Sequence, residues 1–127
     1  MLFRNAKARL NRRSLSASVA EEYWKRYRIR IKDKEAVDGI ARAGDLVVRT
    51  LDMIANHVRA GATTDDLNTL IHEFTLEHGA VPAPLGYRGF PKSACVSVND
   101  EVCHGIPGAR ELRDGDIVNV DVTSIVD

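Results

Sequence analysis

The sequence lacks any apolar run of about 18 residues, the length that a membrane-spanning helix requires. It also lacks the short apolar segment near residue 1 that a secretory signal peptide contains. Only two cysteines are present, Cys95 and Cys103, and they form no Cys-x-x-Cys pair. These absences predict a cytoplasmic protein with no membrane partner and with free thiols in a reducing compartment.

Three common catalytic motifs are also missing. His72-Glu73 resembles the start of the His-Glu-x-x-His zinc motif, but the next histidine, His78, lies six residues further on. Because six helical steps turn the chain by about 600°, the two imidazoles would not share a face. Neither a Gly-Lys-Ser/Thr phosphate loop nor a Gly-x-Ser-x-Gly nucleophile elbow occurs, so those two kinds of site are excluded.

The net charge is zero, but the charges are distributed unevenly. Residues 1–34 contain 11 Lys or Arg and 3 Asp or Glu, a balance of +8, and residues 35–127 carry the opposing −8. This asymmetry predicts a basic arm, residues 1–30, joined to a folded domain, residues 31–127. Three interpretations of the arm remain open: a solvated tail, a contact with RNA or the ribosome, and organelle targeting by residues 1–20, which are rich in Arg and Ser and contain no acid.

Two amphipathic helices are predicted at the start of the folded domain. The first is expected to begin after an N-cap at Asp33 and to end near Gly61. Its apolar residues recur at helical spacing, which places on one face Val37, Ile40, Val47, Leu51, Ile54 and Val58. The second is expected to begin with a capping box of Thr63 and Asp66 and to end at Gly79. Its predicted apolar face consists of Leu67, Leu70, Ile71 and Phe74.

After Gly79 the pattern changes to that of strands and turns. Alternating apolar and polar residues over 94–99 predict a half-buried strand. A second short strand is predicted over 101–106, and a longer one over 117–126, each after a turn rich in Asn, Asp or Gly. Two helices followed by antiparallel strands, without alternation of the two, predict the α+β class.

Asp121 is the first candidate functional residue. It shares one face of the predicted strand with Asn119 and Thr123, and the valines of that strand occupy the other face. A carboxylate on so apolar a strand needs compensation, which a divalent cation would supply. The alternative is an edge strand whose polar face lies in water.

His104 is the second candidate. Gly105 and Pro107 follow it and would end the strand, which would leave the imidazole at the strand mouth. A histidine in that position can exchange a proton with a substrate near neutral pH. The alternative is a structural histidine whose hydrogen bonds are satisfied within the fold.

Three linked segments carry a resemblance to a known family. They are LGYRGFPKSACVSVN at residues 85–99, EVCHGIP at 101–107 and LRDGDIVNVDVT at 112–123. In this order they closely resemble type I methionine aminopeptidases, and the helices that start near Lys32 fit the front half of that family. The resemblance covers roughly residues 31–127.

The resemblance implies a fold and a reaction. The fold is the pita-bread fold, in which two similar halves face each other across a central site, and this chain would be its first half. In the family, two divalent metals (Co, Mn, Fe or Zn) activate a water that releases the initiator methionine from nascent proteins. Matched position by position, Asp121 is implied as a metal ligand and His104 as the catalytic, substrate-contacting histidine. Tyr87, Phe90 and Cys95 are implied to line the pocket for the methionine side chain, and His104 to contact the substrate near the scissile bond.

One departure from the family limits these expectations. The family's remaining ligands, a second aspartate, a histidine and two glutamates, have no counterpart in this sequence. We therefore expect that this chain alone neither holds both metals nor hydrolyses peptides. The strand that ends at Val126 would have an unpaired edge, from which we expect low stability, self-association or completion by a second chain. The alternative function is a non-catalytic module of the same fold that binds the ribosome or nascent chains through its basic arm.

Overall fold

The structure is a computed structural model that describes residues 17–127, with side chains from residue 19. The described residues divide into two compact units, residues 17–37 and 38–127. The targeting interpretation of residues 1–20 and most of the arginines of the basic arm lie outside the described residues, and the predicted domain boundary at residue 30 stays a prediction. Within 17–127, no helix is long and apolar enough to cross a membrane.

The described part of the first unit contains a helix that the sequence did not predict, α1, Ala17–Tyr27. It ends at Arg28, whose φ of 56° lies in the left-handed region and whose N–H donates to the Trp24 carbonyl oxygen at 3.0 Å. Glycine usually occupies this position of a helix end, because a side chain there costs about 1 kcal/mol or more. The turn brings the Arg28 and Arg30 guanidinium groups to 5.6 and 5.7 Å from the Trp24 ring centroid.

The helix α2, Lys34–Ala55, begins as predicted and buries a different face. The predicted N-cap is confirmed, because the Asp33 carboxylate accepts from the Ala36 N–H at 2.8 Å. The buried residues of α2 are Leu46, Thr50 and Ile54, spaced four apart. Of the face predicted from periodicity, Val37, Ile40 and Leu51 are exposed, so that prediction was wrong for these three residues. Small and apolar residues run along two sides of α2, and the pattern alone could not choose between them.

The prediction that Gly61 ends the first helix was wrong. The helix ends at Ala55, and Gly61 instead lies in the linker to the next helix. There its N–H donates to the Leu112 carbonyl oxygen at 2.9 Å, and the Leu112 N–H donates to Ala62 at 2.8 Å. The linker is therefore held by a segment 50 residues further along the chain, a pairing that local sequence does not reveal.

The helix α3, Thr64–Glu77, follows the sequence prediction closely. Thr63 accepts from the Asp66 N–H, and the Asp66 carboxylate accepts from the Thr63 N–H at 2.8 Å, which confirms the capping box. The chain leaves the helix through Gly79, whose φ is 71°. Leu67 and Ile71 are fully buried, as predicted for the apolar face. Each such side chain contributes roughly 1.5–3 kcal/mol through burial.

Four short strands form two antiparallel pairs, which confirms the α+β class. They are β1 (Val81–Pro82), β2 (Cys95–Val98), β3 (Val118–Asp121) and β4 (Ser124–Ile125). The pairs are β1 with β4 and β2 with β3. The long strand predicted over 117–126 is thus two strands in different pairs, and no strand forms over 101–106. In the described residues β3 and β4 each have one neighbour, and self-association through their free edges stays a prediction.

The strand β2 is buried on both faces, and the prediction of a half-buried strand was wrong. One face packs in the core with α3, and the core cluster is formed by Ile54, Leu67, Ile71, Ala94, Val96, Val98 and Leu112. The segment after the strand covers the edge of β2 opposite β3, where Val96 N–H donates to Gly105 O and Gly105 N–H donates to Ser97 Oγ, both at 3.0 Å. The predicted second strand is this covering segment.

The capping box predicts how acid destabilises the fold. Hydrogen bonds from the backbone and side chain of Thr63 lower the pKa of Asp66. The stability that this provides is fully present above the unfolded-state pKa and is lost as the pH falls through the folded-state pKa. We expect the free energy of unfolding, measured by urea denaturation, to fall below about pH 4 less steeply in Asp66→Asn than in the unmodified chain. Asp52→Asn, at an exposed position of α2, is the control, and equal acid dependence in the two variants would contradict the prediction.

Candidate functional site

One groove, with a volume of about 620 Å³, is lined by all the predicted site residues. It lies between the loop after β1, the strands β2 and β3, and the segment that covers β2. The predicted residues that line it are Tyr87, Phe90, Cys95, His104 and Asp121. The structure therefore brings together residues that lie up to 34 positions apart, although their individual roles stay predictions.

Asp121 and Cys95 form the floor of the groove. They are directly opposite in the antiparallel pairing of β2 and β3, so their side chains lie on the same face. The predicted alternation of β3 is confirmed, with the valines half-buried and Asn119 and Asp121 exposed. The Asp121 carboxylate therefore faces the open side of the groove.

Cys95 is a neutral part of this floor. Its side chain is buried, and burial is the main reason that its pKa is raised; the negative charges of Asp121 and Cys103 raise the pKa further. The thiol consequently stays protonated at neutral pH. A protonated thiol is a polarizable, apolar surface, which suits a thioether or a similar group.

His104 reaches the groove from a strained loop, not from a strand mouth as the sequence predicted. Its φ is 55°, in the left-handed region that costs a non-glycine residue about 1–3 kcal/mol. The segment is fixed immediately afterwards, where Gly105 lies against the Val96 carbonyl with no room for a Cβ. Strain of this kind persists only where the surrounding contacts impose it, and it is frequent at functional sites.

Tyr87 and Phe90 stand on a compact turn after β1. The Gly86 N–H donates to the Phe90 carbonyl oxygen at 2.8 Å, and the Phe90 N–H donates to the Tyr87 carbonyl oxygen at 2.9 Å. Phe90 is half-buried, and Tyr87 is 64% exposed at the rim. Arg88, with a left-handed φ of 49°, places its guanidinium 5.5 Å from the Tyr87 ring centroid.

The groove also contains residues that the sequence did not single out as site residues. They are Ala83, Pro84, Arg88, Gly89, Pro91, Ile106 and Thr123. Thr123 could have been found, because it shares the polar face of the predicted strand with Asp121. Pro84 and Ile106 carry no chemical signature, and only the folding of two loops over β2 shows their position.

The described residues do not fit a two-metal centre. Asp121 is a candidate ligand, but residues 17–127 contain no group of three or more His, Cys, Asp or Glu side chains arranged to hold a metal ion. A single carboxylate is too few ligands to replace the hydration shell of a small divalent cation.

Sequence comparison identifies relatives of this chain. Residues 38–127 match the profile of Metallopeptidase family M24. The methionine aminopeptidase of Rickettsia prowazekii is 56% identical over 85 residues, which are 67% of this chain and 33% of that protein. The Danio rerio protein named methionine aminopeptidase 1D, mitochondrial, is 48% identical over 109 residues, which are 86% of this chain and 32% of that protein. The chain spans about a third of the length of these curated relatives.

Structural comparison agrees. The crystal structure of the Rickettsia prowazekii methionine aminopeptidase matches with a TM-score of 0.76 and 50% identity, over 77% of this chain and 40% of that one. This likeness confirms the fold that the sequence resemblance implied, that of part of a methionine aminopeptidase.

Gly105→Ala tests whether the close approach to β2 supports the groove. The new Cβ would lie 2.8 Å from the Val96 carbonyl carbon and nearer still to its oxygen. Because both neighbours are backbone atoms, we expect a loss of about 1–3 kcal/mol in the free energy of unfolding, measured by urea denaturation. In Gly108→Ala the Cβ meets nothing within 4 Å, and we expect a change within about 0.5 kcal/mol. Equal effects of the two substitutions would contradict this account.

Proposed function

The chain belongs to metallopeptidase family M24, and from this membership we propose that it carries one wall of a methionine aminopeptidase site. The substrates in this proposal are the N-termini of nascent polypeptides that begin with methionine. The observation that carries the proposal is the groove itself, in which Tyr87, Phe90 and Cys95 meet His104 and Asp121. An apolar pocket with a few convergent polar groups is what an exopeptidase of this specificity needs.

The apolar part of the groove is proposed to bind the methionine side chain. Phe90 and the protonated thiol of Cys95 offer polarizable surface, and Tyr87 stands at the rim, where it can close over a bound side chain. A thioether gains dispersion contacts from such walls without requiring a hydrogen bond. These contacts supply binding and orientation.

The polar part of the groove is proposed to act on the substrate backbone. The His104 imidazole lines the same cavity as the pocket residues and can donate a hydrogen bond to, or exchange a proton with, the group at the scissile bond. The next residue, Gly105, is held by two hydrogen bonds, so the backbone that carries the imidazole is anchored before a substrate arrives. Such preorganisation reduces the cost of reaching the transition state.

The family uses divalent metals, and Asp121 is the residue of this chain that we propose as a ligand. When bound, the metals would supply an activated water. Because the described residues do not fit the complete centre, we propose that residues 1–127 alone do not turn over substrate. The missing ligands would have to lie outside residues 17–127 of the copy that contributes Asp121.

Peptide hydrolysis tests this proposal directly. We expect no release of methionine from a Met-Ala-Ser peptide by the purified chain with Mn²⁺ or Co²⁺. We expect release when the remaining two-thirds of the Rickettsia prowazekii relative is added as a separate polypeptide, since that segment extends beyond the matched residues. Asp121→Ala should abolish the restored release, because the carboxylate would no longer contribute to the metal centre.

Asp100→Ala, in the exposed turn after β2, is the matched control and should retain the restored release. Release by the chain alone that disappears in Asp121→Ala would show that a second copy supplies ligands. That result would overturn the proposed inactivity while supporting the proposed reaction. Association of the two polypeptides without any release would contradict the proposed reaction.

A second candidate function is binding to the ribosome through the basic arm. The observation that favours it is the exposed aromatic surface of α1, where Trp24 is 44% and Tyr27 51% exposed and arginine guanidinium groups lie near both rings. Aromatic rings stack on unpaired bases, and arginines neutralise phosphates. Under this hypothesis of ribosome binding, the chain would bind emerging polypeptides without cleaving them.

We also propose that residues 1–20 direct one form of the protein to an organelle, and that the protein is otherwise cytoplasmic. Their Arg-rich, Ser-rich and acid-free composition supports this. The Danio rerio relative, which is named as a mitochondrial protein, matches 86% of this chain.

Sedimentation with ribosomes tests the second function. We expect the chain to co-sediment at low salt and to be released as salt increases, and we expect deletion of residues 1–30 to remove this binding. The variant with both Arg28→Ala and Arg30→Ala should bind more weakly than the variant with both Arg42→Ala and Arg59→Ala, which loses the same charge from residues 38–127. Absence of the intact chain from the ribosome fraction at low salt would exclude this function.

A further inference from the structure

A group of polar contacts lies behind the groove, outside the residues that line it. Three side chains of α3, namely Asp65, Asn68 and His72, contact the two consecutive residues Lys92 and Ser93. The three positions follow one another at steps of three and four, so they share one face of α3. Lys92 and Ser93 connect the turn that carries Tyr87 and Phe90 to the strand that begins at Cys95.

Each contact fixes a different part of this connection. The Asn68 side-chain oxygen accepts from the Ser93 N–H at 2.8 Å, and the Lys92 ammonium group pairs with the Asp65 carboxylate. His72 Nδ1 lies 2.8 Å from Ser93 Oγ, and the Ser93 side chain is buried, with 3% of its surface exposed. A buried hydroxyl needs a hydrogen-bond partner, and in the described residues His72 provides it.

The turn has little apolar support on this side. A cavity of about 240 Å³ separates it from α3, and its walls include Leu85, Pro91 and His72. Leu85 and Pro91 are exposed. The polar contacts to residues 92 and 93 therefore hold the C-terminal end of the turn. Packed apolar side chains do not hold it on this side.

We propose that His72 is a positioning residue of the groove. Through its hydrogen bond to Ser93, His72 fixes the C-terminal end of the turn. This end carries Phe90, and a methionine side chain would pack against the Phe90 ring. His72 is not among the residues that line the groove. The proposal rests on the proposed function only for the identity of the bound side chain, because the contact between α3 and the turn is independent of any ligand.

Amide hydrogen exchange, measured residue by residue by NMR on the full chain, tests the proposal. The amides of Gly86 and Phe90 report on the turn, because their hydrogen bonds close it. In His72→Leu and in Ser93→Ala we expect both amides to exchange about fivefold faster, the equivalent of the loss of one hydrogen bond. The Leu112 amide, which donates to Ala62 at the other end of α3, should be unaffected.

Two further variants separate positioning from general destabilisation. His72→Asn can place an amide group where Nδ1 stands and should restore slow exchange of the turn. Thr50→Val removes a buried hydrogen bond of similar size, from Thr50 Oγ1 to Leu46 O at 2.8 Å, and should leave the turn unaffected. If Thr50→Val accelerated exchange of the Gly86 and Phe90 amides as much as His72→Leu does, the proposal would be overturned.

The double variant gives a stricter criterion. If His72 acts through Ser93, the combination of His72→Leu and Ser93→Ala should accelerate exchange no more than either single change does, because both remove the same contact. Additive acceleration would show that His72 does not act through Ser93, and the proposal would fail.

Binding of the dipeptide Met-Ala, followed by NMR in the same samples, distinguishes this proposal from the proposed function. We expect weaker binding in His72→Leu and recovery in His72→Asn. If the unmodified chain does not bind Met-Ala but the exchange results hold, the proposed binding of the methionine side chain in the groove fails and the positioning role stands. If Met-Ala binds equally to the unmodified chain and His72→Leu, the positioning role fails and the proposed function stands.

Discussion

The contact between Gly105 and the Val96 carbonyl is the constraint on which the groove depends. Two hydrogen bonds at Gly105 hold the segment after β2 against that strand, at a distance that only glycine permits. This contact covers the edge of β2 opposite β3, directly beside the left-handed backbone of His104. The polar wall of the groove is thus built on a close approach of backbone to backbone, to which the Ser97 hydroxyl adds one hydrogen bond.

The helix α3 connects this arrangement to the rest of the fold. Its N-terminus is closed by the Thr63 and Asp66 capping box, and Thr64 Oγ1 accepts from the Gly108 N–H at 2.9 Å. Its buried residues Leu67 and Ile71 pack in the core that β2 completes. One helix therefore supports the groove in two ways, through the core under β2 and through the polar contacts to residues 92 and 93.

The proposed catalytic wall is open on the side where Asp121 lies. The residue is exposed, and in the described residues β3 pairs only with β2. A carboxylate in this position costs little while water solvates it, and it becomes useful when other ligands approach from the open side. The same geometry is consistent with the proposal that the residues for a side-chain pocket meet in the described part of the chain, whereas those for a two-metal centre do not.

Short sequence patterns were sufficient to predict the local features of this protein. Capping of both helices, the end of α3 at Gly79 and the alternation of β3 depend on neighbouring residues, and all were predicted from short patterns. The family resemblance added which residues belong to one site. The pattern failed where distant segments meet: the pairing of Gly61 with Leu112, the burial of β2 and the loop that carries His104. These features were decided only by the tertiary structure, because the partner that satisfies each backbone group lies far away in the chain.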